Sequence, residues 1–233
     1  MNPVNKIFAL WHQIYSSADE NMLTQFLQSV GIGPLTANND SPDWYKDAIV
    51  YSTYTELFNN DFPGLINKLE YLNKLGVSCL WLLPVLSSPM RDGGFDIDDY
   101  YHIRPNLAGS STNTDEIFSQ FLKKTHEFGI KVIFDISLNH ISDEHVWFKE
   151  ATKSKDNRYR DFFIWSDTPE KYQDARIIFK GIEDSNWQKC GEEYYFHRFF
   201  NFAGKFNPVR KWVICFFNKL NFHTTSNFRF HTR

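Results

Sequence analysis

Ile130-Lys131-Val132-Ile133-Phe134-Asp135-Ile136-Ser137-Leu138-Asn139-His140 is the stretch whose reading decides the fold. From Ile130 to Phe134 it is β-branched or aromatic at every position but Lys131, which is the composition of a buried strand. The spacing predicts a strand over Ile130–Ser137. Its carboxyl end then offers a carboxylate (Asp135), an amide (Asn139) and an imidazole (His140) at a single rim.

Working back from this strand, Gly129 closes a helical pattern that begins at Thr114. Asp115 and Glu116 occupy its first turn, where carboxylates suit the positive end of the helix dipole, and Ile117, Phe118, Phe121, Leu122 and Phe128 make its apolar side. Residues 85–112 read as a long loop. Before them, Val77-Ser78-Cys79-Leu80-Trp81-Leu82-Leu83 is a nearly continuous apolar run halted by Pro84, the pattern of a parallel strand covered on both faces. Leu65, Leu69, Leu72 and Leu75 predict one helix ending at Gly76, and Ile49–Tyr54 predicts the first strand. Strand–helix–strand–helix–strand with short returns opens a parallel α/β fold.

The flanks read differently. Residues 1–43 form a polar-rich leader with two helical patches, around Ile7, Leu10, Trp11, Ile14 and Tyr15, and around Leu23, Phe26, Leu27 and Val30. A turn-rich stretch over 33–42 separates it from the α/β part. Beyond His140 the rhythm breaks into an aromatic and charged excursion over 141–200, with strand-like pieces at Ile177-Ile178-Phe179 and Tyr194-Tyr195-Phe196.

Charge and cysteine usage narrow the function classes. The net charge of −3 hides a split: all 28 acidic residues lie at or before Glu193, and seven basic residues fall after it without one acid. In that basic stretch the charges alternate with Phe and Trp without a recognisable binding motif, so no nucleic-acid partner is expected. Cys79, Cys190 and Cys215 are odd in number and lack a CxxC pair, which fits a reduced, cytoplasmic protein better than a disulfide or zinc scaffold. No apolar run approaches the roughly 20 residues of a membrane span, so no membrane partner is expected.

Polar clusters stand at each predicted strand end: Tyr51 on the first with Tyr54 and Glu56 behind it, Ser88 to Tyr100 after the second, and Asp135 to His140 after the third. Function in barrels of alternating strands and helices gathers at those ends. Each cluster also has a plain structural reading. Asp92, Asp96, Asp98 and Asp99 fit a solvated acidic loop, and His140 fits a hydrogen-bonded core histidine. His140 and His145 are five apart, the wrong spacing for a transition-metal pair on one helical face.

Taken together, these motifs resemble the α-amylase superfamily, glycoside hydrolase family 13. Asp135, Asn139 and His140 match its strand-three signature Asp-x-x-x-Asn-His. Trp44–Tyr51 is similar to its entry to strand one, Leu75–Pro84 to its second strand, and Gly94-Phe95-Asp96-Ile97-Asp98-Asp99-Tyr100 to the following loop. Within the superfamily the trehalose-synthase (maltose glucosylmutase) branch is most similar. Ser142–Phe148, Tyr159–Pro169, Asp174–Lys180, Glu183–Trp187 and Tyr194–Phe200 carry that likeness.

The resemblance implies an α/β fold: the first three strands of a (β/α)8 barrel over 44–140, with an inserted B domain over 141–200 after strand three. Asp92 would bond the outer hydroxyls of a glucose ring and Phe95 would stack on it, where the family usually has Tyr. Asp135 would position the nucleophile's neighbourhood, and His140 would bond the primary hydroxyl. Asn139 would offer its oxygen to a structural Ca²⁺, and maltose and trehalose would be the substrates.

The family's nucleophile and acid/base follow strands four and five, and retaining cleavage needs two such carboxyls about 5 Å apart. With no acid after Glu193, none is expected at those positions, and the divergent tail over 201–233 has the composition of an out-of-frame reading. The sequence is therefore expected to be an amino-terminal fragment, inactive alone, with unpaired sheet edges and an uncovered face. An α-glucosidase or amylase-type hydrolase and a non-catalytic sugar-binding fragment are the alternatives.

Overall fold

The computed structural model describes residues 3–14, 20–29, 43–178, 183–198 and 212–214. The expected turn-rich stretch over 33–42, and the 201–233 tail outside 212–214, lie beyond these residues. The chain divides into two compact units, the larger spanning Ala48–Asn221. In the smaller, both helical patches form helices, α1 (Pro3–Ile14) and α2 (Glu20–Ser29). Leu23 and Leu27, one turn apart, are the buried pair of α2. His12 Nε2 meets Glu20 Oε1 at 2.8 Å, and Trp44–Lys46 make a short 3₁₀ turn.

The larger unit opens with β1 (Val50–Thr53), α3 (Thr55–Asn59), α4 (Phe62–Ile66), α5 (Leu69–Lys74) and β2 (Cys79–Leu82). The predicted single helix over Leu65–Leu75 is thus two. Asp61 caps α4 by accepting the Gly64 N–H at 2.7 Å, and Lys68 N–H turns back to the Leu65 carbonyl at 3.0 Å, breaking the rise between them. The leucine spacing survives the break: Leu65, Leu69 and Leu72 are all fully buried.

Residues 85–112 are not all loop. They contain β3 (Leu86–Ser87) and β4 (Asp99–Ile103), paired antiparallel with a register shift between Leu86 and Ser87. Then come α6 (Thr114–Glu127), capped by Asn113 at the Glu116 N–H, and β5 (Lys131–Phe134). The third strand ends at Phe134 instead of Ser137. Its last rung is Asp135 N–H to the Leu82 carbonyl at 2.9 Å; two residues on, the neighbouring strand reaches Pro84, which has no N–H to continue a ladder.

β1, β2 and β5 form one parallel sheet in that order, with Ser52, Trp81 and Ile133 in register. The helices cover one face. Leu80 and Leu82 join Phe62, Leu65, Leu69, Leu72 and Phe121 in the core, and the Phe62 and Phe121 rings lie 5.0 Å apart. Each such side chain contributes about 1.5–3 kcal/mol by leaving water. The prediction that the second strand is covered on both faces is corrected here. Trp81 is 40% and Ile133 41% exposed, because α3 to α6 pack on the opposite side.

After β5 the chain continues through β6 (His140–Ser142), α7 (Val146–Ala151), β7 (Trp165–Ser166), β8 (Trp187–Cys190), β9 (Glu193–Phe196) and β10 (Trp212–Ile214). β10 pairs antiparallel with β6, and β7, β9 and β8 make a separate antiparallel sheet. Its core is aromatic: Phe148 of α7 meets the Phe163 and Tyr195 rings edge-on at 5.2 and 4.9 Å. Tyr194–Phe196 lies within β9, whereas Ile177 and Ile178 are not in a strand, and Phe179 lies outside the described residues. Two hydrogen bonds, Ala175 N–H to the Tyr172 carbonyl (2.9 Å) and Asn186 Nδ2 to the Ala175 carbonyl (2.9 Å), commit this stretch to a turn.

Candidate functional site

The carboxyl ends of the three parallel strands deliver Tyr54, Pro84 and Asp135 to one rim. Arg104, only 3% exposed, braces it from beneath: Nη2 donates to the Pro84 carbonyl at 3.0 Å and pairs with Glu56 Oε1 at 2.9 Å. Burial raises the Tyr54 phenol above its ordinary value. The charges of Asp92, Glu56 and Asp135 raise it further against the opposing field of Arg104. These side chains therefore share one electrostatic neighbourhood.

The loop after β3 is folded around Asp96. This carboxylate, read from sequence as one of several solvated acids, is fully buried. Its Oδ1 accepts the Ser88 hydroxyl at 2.7 Å and the Asp92 N–H at 3.3 Å, and its Oδ2 accepts the Arg91 N–H at 3.1 Å. Phe95 N–H donates to the Asp92 carbonyl at 3.0 Å, closing the turn. Gly93 sits at φ +58°, and a Cβ there would lie 2.6 Å from Tyr54 Oη, so only glycine lets the turn settle onto the phenol. Asp92 itself is half-buried. Burial raises its carboxyl, and the Asp96 charge raises it further.

His140 enters from β6 and is 5% exposed. Burial lowers its imidazole to about 4, and the neighbouring Phe95 backbone acts in the opposite direction. At neutral pH it is a neutral ring. His145, 2% exposed, is also lowered to about 4 by burial, and its Nδ1 caps α7 by accepting the Trp147 N–H at 3.1 Å. The Tyr100 hydroxyl donates to the Ser137 carbonyl at 2.6 Å, pinning the chain between Asp135 and His140. Arg91 reaches across to Asp143 at 3.0 Å and also pairs with Glu144.

The Phe95 N–H thus holds the Asp92 carbonyl while the Phe95 backbone acts on the His140 ring, and the charges of Asp92 and Asp135 both act on Tyr54. Two carboxylates, a neutral imidazole and an aromatic ring are the groups that hydrogen-bond and stack on a polyhydroxylated ring. Asn139, next to His140, is exposed in the bend before β6. Among the described residues no group of three or more His, Cys, Asp or Glu gathers to hold a metal. One amide oxygen falls well short of the roughly six to eight oxygens that Ca²⁺ takes, so these residues do not by themselves fit a calcium site. Arg91, Asp96 and Tyr100 were legible from sequence only as members of the cluster after the second strand, without these roles, and Arg104 was not singled out at all. Only the two glycines before Phe95, marking a tight turn, hinted at the Asp96 arrangement.

Residues 26–214 match the family model for the α-amylase catalytic domain. The chain belongs to that family. Its fold is accordingly of the α/β-barrel type, and the described residues hold parallel strands of such a barrel without a closed ring. A trehalose synthase of Pimelobacter sp. (strain R48) is 44% identical over 181 residues, covering 74% of this chain and 31% of that protein. An oligo-1,6-glucosidase of Heyndrickxia coagulans is 39% identical over 166 residues, covering 67% and 29%. The crystal structure of Bacillus licheniformis trehalose-6-phosphate hydrolase superposes with a TM-score of 0.58 at 32% identity, covering 73% of this chain and 30% of that one. The chain thus spans about a third of the length of the relatives it matches. No described helix is long and apolar enough to cross a membrane.

Proposed function

We propose that the rim of Asp92, Phe95, Asp135 and His140 binds a glucose ring of an α-glucoside, maltose or trehalose, in a trehalose-synthase-like site. The observation that carries this reading is the turn that holds Asp92 and Phe95, closed by the Phe95 N–H on the Asp92 carbonyl at 3.0 Å, with the buried His140 ring, 48 residues on from Asp92, under the influence of the same Phe95 backbone. Asp92 and Asp135 accept sugar hydroxyls, neutral His140 donates or accepts one, and the Phe95 ring packs on the sugar's C–H face. Phe95 supplies contact area without the phenolic hydrogen bond a Tyr would add.

Residues 1–233 supply recognition and not bond cleavage. The sequence has no carboxylate beyond Glu193, and Asp143 and Glu144 are engaged by Arg91. In a longer protein the bond would be broken by a carboxyl pair about 5 Å apart, through a covalent glucosyl intermediate. The likeness to a trehalose synthase, 44% identical over 181 residues, favours passing that glucosyl group on within the site. Hydrolysis is the second reading, supported by the likeness to an oligo-1,6-glucosidase. Widely spaced cysteines, with Cys79 and Cys190 free, support a cytoplasmic setting.

Titration calorimetry of the chain with maltose tests the recognition step. Saturable binding is expected, lost in Asp92→Ala and in His140→Ala; no binding by the wild-type chain would overturn it. Fusing the chain to the carboxyl-terminal remainder of the Pimelobacter protein and supplying maltose separates the chemistries: trehalose supports transfer, glucose hydrolysis.

A further inference from the structure

Two segments far apart in sequence supply the proposed sugar contacts. Asp92 and Phe95 lie on the loop folded around Asp96, and His140 opens the segment that continues to Glu144. Arg91 is the ionic tie between them. Its backbone N–H is held by Asp96 Oδ2, which fixes where the side chain starts. Its guanidinium then crosses 52 residues of sequence to Asp143 Oδ1 at 3.0 Å, with the second nitrogen on Glu144. The three side chains are 20%, 12% and 29% exposed, so the pairs are shielded from most of the solvent screening that weakens surface ion pairs. The Glu144 N–H is in turn held by the Ser142 hydroxyl at 3.1 Å, which anchors the backbone at the acidic end of the tie.

We infer that Arg91 is a positioning residue: it straps the loop carrying Asp92 and Phe95 to the segment following His140, and so sets the width of the glucose-binding rim. The strap rests on the sugar-binding reading for its purpose, but not for its existence. A planar guanidinium holds two carboxylates through separate nitrogens in a fixed fork, whereas an ammonium offers one compact charge without that preset geometry. Other ties keep the segments together without it. Ser142 N–H donates to the Ile97 carbonyl at 2.9 Å, and the Tyr100 hydroxyl to the Ser137 carbonyl at 2.6 Å. Removing the Arg91 side chain therefore loosens the rim while the fold holds.

The test uses the full chain, maltose titration, and site-resolved amide exchange on Arg91→Ala, Arg91→Lys, Glu144→Gln and the double variant Arg91→Ala/Glu144→Gln. Arg91→Ala is expected to weaken maltose binding about tenfold, as for truncating one partner of a shielded charge pair, and Arg91→Lys to restore part of it. The double variant is expected to bind no worse than Arg91→Ala, since both changes cut one tie. Exchange should quicken together at residues 92–95 and 140–144 and stay unchanged in β1, β2 and β5. Wild-type affinity in Arg91→Ala, alongside lost binding in Asp92→Ala, would overturn the positioning role. Exchange that quickens uniformly, or at neither segment, would overturn the strap itself. A wild-type chain that ignores maltose would remove the sugar reading and with it the rim's purpose, leaving the strap to be decided by exchange alone.

Discussion

Acidification from pH 7 to pH 4 should unfold this protein by way of two buried rings. His140 and His145 are 5% and 2% exposed, and burial lowers both imidazoles from 6.5 to about 4. In the folded chain they stay neutral as the pH falls through 6.5, whereas in the unfolded chain each takes up a proton there. The unfolded state therefore binds more protons across that window, and stability drops as pH drops. The stability is fully present above about pH 6.5 and is lost progressively down to about pH 4. Some 2.5 pH units of differential protonation amount to about 3 kcal/mol per ring. Together the rings would remove about 6–7 kcal/mol, comparable with the whole stability of many domains, roughly 5–15 kcal/mol. Denaturant midpoints at half-unit pH steps measure the loss, and histidine ring proton shifts identify the sites. His102 is an internal control. Its hydrogen bond with Asp99 raises it, so it should titrate above the ordinary histidine range while His140 and His145 remain silent down to pH 5.5. His140→Gln should remove about 3 kcal/mol of the pH dependence. A His140 resonance titrating near pH 6.5, or a midpoint unchanged between pH 7 and 5, would refute the reasoning.

Three further outcomes are expected. Gly93→Ala should cost about 1–2 kcal/mol, because the new methyl meets Tyr54 Oη at a positive φ; part of that loss should return in Gly93→Ala/Tyr54→Phe, read by thermal melting of the four chains. Phe95→Tyr should tighten maltose binding a few-fold by adding a phenolic hydrogen bond, and Phe95→Ala should weaken it, both measured by calorimetry. Residues 1–233 supplied with maltose or trehalose should release neither glucose nor the other disaccharide; chromatographic detection of either product would contradict the assignment of recognition without cleavage.

The parallel sheet and its helices were legible because their signals are local. The leucines at 65, 69 and 72, the apolar run through Leu80 and Leu82, and the capped start of α6 each sit within a window of a few turns. Errors came where a partner was needed. The hairpin of β3 and β4 has only two residues on one side, too few to show a period, and exists through pairing with Asp99 and Ile103. Ile177 and Ile178 have strand composition, but a turn uses their neighbourhood instead. Trp81 reads as covered from sequence, yet which sheet face meets helices is decided by packing.

By itself the sequence determined the three parallel strands and the helical stretches that join them, the membership of the α-amylase family, and the residue types that stand at the strand ends. Tertiary structure alone decided that Asp96 is a buried anchor and not a solvated acid, that Arg91 ties its loop to Asp143 and Glu144, and that His140 is held neutral. Periodicity is carried by neighbours along the chain, so a linear reading recovers it. Desolvation and charge pairing depend on atoms brought in from some fifty residues away, and only folding states where those atoms come to rest.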